Sequence, residues 1–308
     1  MPDIANARAG RKAKPHIRPS HELNNPMLKV SEGCSHGRCR FCGIYPDTPF
    51  TPLPLDEVAV GIDEIAKDAT ALTRRIYLIS GNPLALPTKR LLKIFDLVRA
   101  KIPTVESFGG FCRISDIARK SIEELRELRA CGVNEITIGA ESGHDPTLKR
   151  MEKDHDLVSI VEQGQRLHEA GIDFVFFYLA GLAGKGKGQQ NAIASARAFS
   201  AAGPFRILIT TLSPTPSMPL KHDIAAGTWE PSGEVEAAEE IRTFIANLTC
   251  ECNLNCSHDT DIIKFEGMIP KNQKMMLELL DHSIPKMNEA AASKIRGLIL
   301  GGSWKAMP

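Results

Sequence analysis

The sequence predicts an α/β fold in which parallel strands alternate with helices, on three observations. Short β-rich runs alternate with amphipathic stretches of helical spacing six times between residues 27 and 220. The β-rich runs are apolar throughout rather than at every second residue, the pattern of strands buried on both faces. Each strand run ends in a polar, glycine-bearing junction, which is where parallel βα sheets collect their ligands. Such an array is either a barrel-like sheet or an open doubly wound one.

The elements follow in order. Residues 1–26 are polar and basic with little apolar content, and read as a solvated tail. Met27–Val30 is the first strand run, and it leads into KVSEGCSHGRCRFCGIYPDTPF, Lys29 to Phe50. Leu55–Ala69 has Val58, Ile62 and Ile65 on one helical stripe with acids opposite. Arg75–Ser80 is a strand ending in Gly81-Asn82-Pro83. Thr88–Ala100 is a helix with Thr88 as its expected N-cap, and Thr104–Phe108 is the next strand. Ser121–Cys131 opens on a capping box, Ser121 with Glu124, and stops at Gly132. Asn134–Ala140 is a strand leading to Glu141-Ser142-Gly143, and Leu157–Ala170 a helix ending at Gly171. Asp173–Leu179, Gln189–Ala202 and Phe205–Leu212 continue the alternation.

Beyond residue 220 the pattern changes. Glu234–Leu248 is amphipathic, TCECNLNCSH reads as a loop, Lys271–Met287 is a helix, and Ile295–Leu300 a short one before a Gly-Gly-Ser-Trp end. No long linker intervenes, so residues 221–308 are expected to pack on the 27–220 core and close its active site.

Composition removes several function classes. The chain has 308 residues, 43% hydrophobic, with 38 basic and 37 acidic side chains and a formal net charge of +1. Nothing in that balance calls for nucleic acid. No apolar run approaches the roughly 20 residues a membrane helix needs, and Ala5 to Arg18 is basic and polar rather than a signal core. A cytoplasmic protein is expected. In such a chain six of the eight cysteines, clustered as Cys34, Cys39, Cys42 and as Cys250, Cys252, Cys256, favour metal or redox chemistry over disulfides. Cys112 and Cys131 stand apart and read as buried small hydrophobes.

Cys34, Cys39 and Cys42 have the spacing C-x4-C-x2-C, with Phe41 just before the third. Three thiolates on one loop leave a metal centre one ligand short. One reading is structural zinc completed by His36 or a distant group. The other is a [4Fe–4S] cluster with three cysteine ligands and one free iron.

This stretch resembles the radical SAM superfamily, whose loop after the first strand carries three cluster cysteines, most often as C-x3-C-x2-C with an aromatic before the third. The chain keeps Phe41 and the final C-x2-C and has one more residue in the first gap. Ser80-Gly81-Asn82-Pro83 occupies the place of the superfamily's glycine-rich segment for the amino group of S-adenosylmethionine (SAM), with Asn82 where an acid is frequent. Ile138-Gly139-Ala140-Glu141-Ser142-Gly143 and the following Pro146–Lys153 resemble the fourth-strand motif of the elongator-type, methylthiotransferase and coproporphyrinogen dehydrogenase branch. Phe177–Gly184 (FYLAGLAG) resembles that branch's glycine motif near the adenine.

The resemblance implies a partial (β/α)6 TIM-like barrel with a mainly helical C-terminal extension. It implies a [4Fe–4S] cluster on Cys34, Cys39 and Cys42, and SAM held by groups that include Phe41, Gly81, Asn82, Arg113, Glu141 and Gly181. SAM would chelate the free iron, and one electron would then break its S–C5′ bond to give a 5′-deoxyadenosyl radical. The expected partners are a small-molecule or peptide substrate and a one-electron donor such as a flavodoxin or ferredoxin; a membrane is not expected. Two alternatives stay open: a zinc- or cluster-binding scaffold with a degenerate SAM site, favoured by the longer first gap and Asn82, and RNA modification, favoured by the basic arm.

Two further patterns invite a reading. Gly181 to Gly188, GLAGKGKG, nearly spells a phosphate-binding loop, but Gly188 stands where the hydroxyl should be, so a mobile loop is the better account. Cys250, Cys252 and Cys256, with His258, are a possible second metal site or a thiol-lined loop. Trp229, Trp304 and Met275-Met276 read as packing residues. His16, His21, His144, His155 and His168 have no ligand spacing among themselves.

Overall fold

The expected alternation is present in the computed structural model, which describes residues 18–46 and 48–299. Six strands run parallel: β1 (Met27–Lys29), then, beyond a small antiparallel pair β2 (Ser31–Glu32) and β3 (Thr51–Pro52), β4 (Arg75–Ile79), β5 (Ser107–Cys112), β6 (Glu135–Glu141), β7 (Asp173–Ala180) and β8 (Arg206–Thr211). Neighbours in sequence are neighbours in the sheet, β1-β4-β5-β6-β7-β8, as helical crossovers between parallel strands require.

Eleven helices are described, most of them on the outer face of this sheet; the one at residues 221–225 lies instead at the cysteine loop, where Asp223 pairs with Arg40. They are α1 (Leu55–Asp68), α2 (Thr88–Lys101), α3 (Ile114–Ala118), α4 (Ile122–Ala130), α5 (Asp145–Arg150), α6 (Leu157–Ala170), α7 (Gly188–Ala202), α8 (Lys221–Ala225), α9 (Glu234–Asn247), α10 (Gln273–Ser283) and α11 (Glu289–Ile299). Helix α4 begins at the expected capping box: Glu124 N–H donates to Ser121 Oγ, and Ser121 N–H to the Glu124 carboxylate. Ile76, Leu78, Phe108, Ile136, Ile138, Phe174 and Phe176 point outward into the helix layer and are 0–3% exposed. Burial on that scale contributes roughly 1.5–3 kcal/mol per large apolar side chain.

Several expectations shift. The third core strand is Ser107–Cys112 rather than Thr104–Phe108. Pro87, not Thr88, is the N-cap of α2; Thr88 is the first helical residue and is buried. Within the stretch read as a tail, Ser20–Glu22 forms a 3-10 turn and Glu22 is 1% exposed, ion-paired with Arg75. The tail up to residue 17, Trp304 and the Gly-Gly-Ser-Trp end lie outside the described residues.

The C-terminal segment is the largest departure. Two of its helices fall where expected, but the last runs Glu289–Ile299 rather than Ile295–Leu300, Lys221–Ala225 is an additional short helix, and TCECNLNCSH is not a loop. Cys252–Cys256 is a seventh parallel strand, β9, on the edge of β8, and Phe265–Ile269 returns antiparallel as β10. The sheet therefore has eight strands, with β1 and β10 at its edges. Cys252, Leu254 and Cys256 satisfy the outward apolar face, which is why a cysteine-rich sequence folds here as a strand. No helix among the described residues is long and apolar enough to cross a membrane.

Candidate active site

The expected residues gather at the C-terminal ends of the parallel strands. Cys34, Cys39 and Cys42 lie on the loop between β2 and β3, half-buried and with free thiols. Burial pushes the Cys34 thiol up, and that of Cys39 up to about 12, while the Lys153 ammonium pulls both down. Buried thiols of this kind ionise when a metal centre supplies the positive charge. Their sulfurs are not all drawn within 4.8 Å of one another. A single tetrahedral ion would hold its sulfurs about 3.8 Å apart, so the loop as folded is not a closed one-ion site.

The end of β4 is locked to this loop. Gly81 N–H and Ser80 Oγ both donate to Gly33 O, at 3.0 and 2.9 Å. A Cβ on Gly81 would sit 2.5 Å from Gly33 O and 2.7 Å from Cys34 Cβ, so only glycine permits the approach. Asn82, next to Gly81, has its side chain engaged within the protein. It is 0% exposed, accepts from Ser35 N–H at 2.9 Å, and donates to Ser35 Oγ and Asp116 Oδ2 at 2.8 and 2.7 Å. Its position suits holding the cysteine loop onto the third strand end, since Asp116 also accepts from Arg113 N–H at 3.0 Å.

Arg113 follows β5 and is 6% exposed. Nη2 lies 2.7 Å from Asp154 Oδ2, while Nε and Nη1 are buried with no partner. Orphaned guanidinium donors are costly unless something accepts from them. They point to different sides of the guanidinium, so each calls for its own acceptor oxygen.

Glu141 ends β6 in the left-handed region, φ 68°. An acid held there stores about 1–3 kcal/mol of strain, a signature of functional positions. Burial pushes its carboxyl up, and Lys153, 4.0 Å away, opposes that shift. Lys153 Nζ also donates to Gly139 O at 2.7 Å and lies 5.8 Å from the centre of the Phe41 ring. It thereby joins the fourth strand end to the cysteine loop.

Gly181, at the end of β7, has φ 81°, and its N–H donates to Glu240 Oε2 at 2.9 Å. Glu240 belongs to α9 and is 1% exposed. Tyr178 Oη and Asn191 Nδ2 donate to its Oε1 at 2.7 and 2.8 Å. Burial pushes its carboxyl up to about 7, against the pull of those three donors. The GKGKG stretch beyond is pinned at two backbone amides, Lys185 N–H to Glu230 O and Gly186 N–H to Glu236 Oε1.

Sequence reasoning missed the turn after α5, residues 152–154, along with Asp116 and Glu240. The turn converges on the cysteine loop: Glu152 bonds Arg40 and accepts from His36 Nε2 through its carbonyl, Lys153 reaches Glu141, and Asp154 holds Arg113. His36, an alternative fourth ligand, is thus engaged with protein groups. The adjoining Pro146–Lys153 motif was the available signal, but nothing in it singled out the charged residues.

The possible second metal site is not assembled. Cys252 and Cys256 lie about 13 Å apart along an extended strand and point into the hydrophobic core. Cys250 hydrogen-bonds Cys252, an interaction that draws the Cys250 thiol below its ordinary range. Among the described residues, one group of His, Cys, Asp or Glu does lie within 4.8 Å: His21, Glu22 and Glu135. It sits at the opposite strand ends, where Arg75, 2.7 Å from Glu22, already supplies the cation.

Comparisons with known proteins agree with this layout. Heme chaperone HemW of Bacillus subtilis is 23% identical over 145 residues, 46% of this chain and 38% of the relative. The chain thus matches well under half the length of that curated relative. Among solved structures, methylornithine synthase superposes with a TM-score of 0.52 at 16% identity, over 88% of this chain and 85% of that one. TsrM of Kitasatospora setae, a radical S-adenosylmethionine methyltransferase solved with cobalamin and a [4Fe–4S] cluster, gives 0.53 at 18% identity, over 66% of this chain and 39% of that one. At such identities these two report on the fold alone. Residues 28–185, just over half of the chain, match the Radical SAM superfamily, and the chain belongs to that superfamily.

Proposed function

We propose that the chain is a radical SAM enzyme. Cys34, Cys39 and Cys42 hold a [4Fe–4S] cluster, and SAM lies between the strand ends. The observation that carries this reading is Arg113, whose buried Nε and Nη1 lack partners beside the three-thiol loop. Each can donate to an anionic group of a ligand, and the methionyl carboxylate is such a group. When bound, the cluster and SAM supply a one-electron-generated radical that removes hydrogen from a substrate.

The chain's own groups bind and orient. Gly81 lets the backbone of the second strand end approach the cysteine loop, and Asn82 fixes that loop through Ser35. Glu141, poised by Lys153, accepts hydrogen bonds from polar groups of SAM. Gly181, held by Glu240, presents backbone to the adenine, and Phe41 covers the site. Residues 221–308 close the site, and a flavodoxin- or ferredoxin-type donor supplies the electron.

The test is anaerobic reconstitution with iron and sulfide, then reduction with dithionite in the presence of SAM. 5′-Deoxyadenosine should form. A protein that carries a full cluster yet never cleaves SAM would sink the proposal. The name of the curated relative favours a second reading, a chain that binds heme without converting a substrate. Saturable heme binding without SAM cleavage would favour it.

A further inference from the structure

Strand β9 has two unlike faces. Cys252, Leu254 and Cys256 enter the core, while Asn253 and Asn255 take the other face and are half-buried. Cross-strand partners share a face, so the register traces this surface across the sheet. Asn255 pairs with Leu208 on one side and Glu266 on the other, and Leu208 pairs with Phe177. Asn253 pairs with Arg206 and Met268. Phe177 stacks with Phe111 at a centroid distance of 6.2 Å and 27° between planes.

The result is one inner surface: two aromatic rings and a leucine, then two carboxamides, then exposed Met268 and Glu266 on the edge strand, with Arg206 two residues below Leu208 on the side of Glu135. The outer face at that edge is filled, since a Cβ on Gly267 would meet Asn272 and Met276 at 2.8 Å. The inner face is closed around Tyr77, Thr137, Val175 and Leu208, which are 0–5% exposed, and is more open at its two phenylalanines. Phe111 and Phe177 are half-buried, whereas Phe174 and Phe176 on the outer face are 0% exposed. Asn253 Oδ1 is buried with no donor. Among the described residues, Glu266 has no ionic partner and nothing accepts from Asn255 Nδ2. Phe111 precedes Arg113 by two residues on the same strand face, so this surface begins about 7 Å below the groups assigned to SAM.

We infer that this inner face is the substrate subsite and that it takes a small molecule with a flat apolar body and a protonated amine. The inference rests on the radical SAM reading. The apolar body lies over Phe111, Phe177 and Leu208. Asn253 and Asn255 bond the polar atoms between, and Glu266 receives the ammonium at the rim. Three strand spacings separate Phe177 from Glu266, so ring and amine stand about 14 Å apart at backbone level, less the reach of the side chains.

The test uses two fluorescent probes of equal body and reach, dansylcadaverine (cationic) and dansyl-6-aminohexanoate (anionic), titrated into the reconstituted full chain. The cation should bind about tenfold or more tightly than the anion, as for one charge-assisted hydrogen bond. Glu266→Gln should abolish the preference and Glu266→Lys should reverse it, which a merely structural residue would not do. Asn255→Ala should weaken both probes. Equal affinities, no saturable binding of the cation, or a preference that survives Glu266→Lys would overturn the inference. SAM cleavage by the unaltered protein is measured separately: its absence strikes the parent reading, and its presence beside indifferent probe binding strikes this one.

Discussion

Asp154 Oδ2 lies 2.7 Å from Arg113 Nη2, so the turn after α5 holds the arginine at the end of β5 by one nitrogen and leaves two free. Burial pushes the Asp154 carboxyl up, but Arg113, Ser115 and Lys153 together hold it below its ordinary value, so Asp154 faces the guanidinium as a carboxylate at neutral pH. Arg113→Met should therefore weaken SAM binding about tenfold to a hundredfold, the loss of a charged hydrogen-bonded contact. Asp154→Asn should cost less, because the cation survives and only its anchoring is lost. Equilibrium binding of SAM to the reconstituted proteins checks both, and undiminished affinity in Arg113→Met would remove the arginine from the site.

The cysteine loop makes a separate prediction. Cys34→Ala, Cys39→Ala and Cys42→Ala should each lose the cluster, read as iron and sulfide per chain. His36→Ala should keep it, because that ring already bonds Glu152 O and its Nδ1 lies 3.8 Å from Asp154. Cluster loss in His36→Ala would return the loop to a four-ligand structural site.

The parts of this site that sequence made legible are those with local signatures. Cys34, Cys39 and Cys42 sit within nine positions, and Gly139 to Gly143 closes a strand whose apolar run is continuous. Asp116, Lys153 and Glu240 carry no such mark, because what they do depends on partners far along the chain. Glu240 reaches Gly181 across 59 residues and Asn82 reaches Asp116 across 34. Local pattern also misled. C-x-C-x3-C looks like ligand spacing, yet a period of two places Cys252 and Cys256 on one buried face, where the core uses them as apolar groups.

Cys250 is the exception in that group, and its chemistry is measurable. It is half-buried, and the hydrogen bond from Cys252 stabilises its thiolate, outweighing the effect of burial. In cluster-loaded protein, iodoacetamide should modify Cys250 before Cys252 or Cys256, which are 1% and 0% exposed. The midpoint of its rate against pH should fall below the ~8.5 of a free thiol. Cys252→Ala removes the donor and should raise that midpoint; no change in it would show that the pair does not interact.

Glu240 gives the clearest dependence on pH. Its carboxyl is raised from 4.5 to about 7 in the folded chain, so the folded state holds the proton more tightly than the unfolded one. Its stabilising contribution is complete below about pH 4.5 and is lost as pH rises through about 7, up to about 3 kcal/mol in all. Above pH 7 the buried carboxylate persists because Tyr178, Asn191 and Gly181 N–H all donate to it. In Glu240→Gln the amide oxygen can serve Tyr178 and Asn191, but the amide nitrogen then opposes Gly181 N–H, leaving that donor unpaired at a cost of about 1–3 kcal/mol. The variant should melt below the parent near pH 5, and the gap should narrow towards pH 8 because only the parent carries the titration. Melting curves across that range check the sign, and a gap that widened with pH would place the ionised carboxylate, rather than the protonated one, as the favoured partner of the fold.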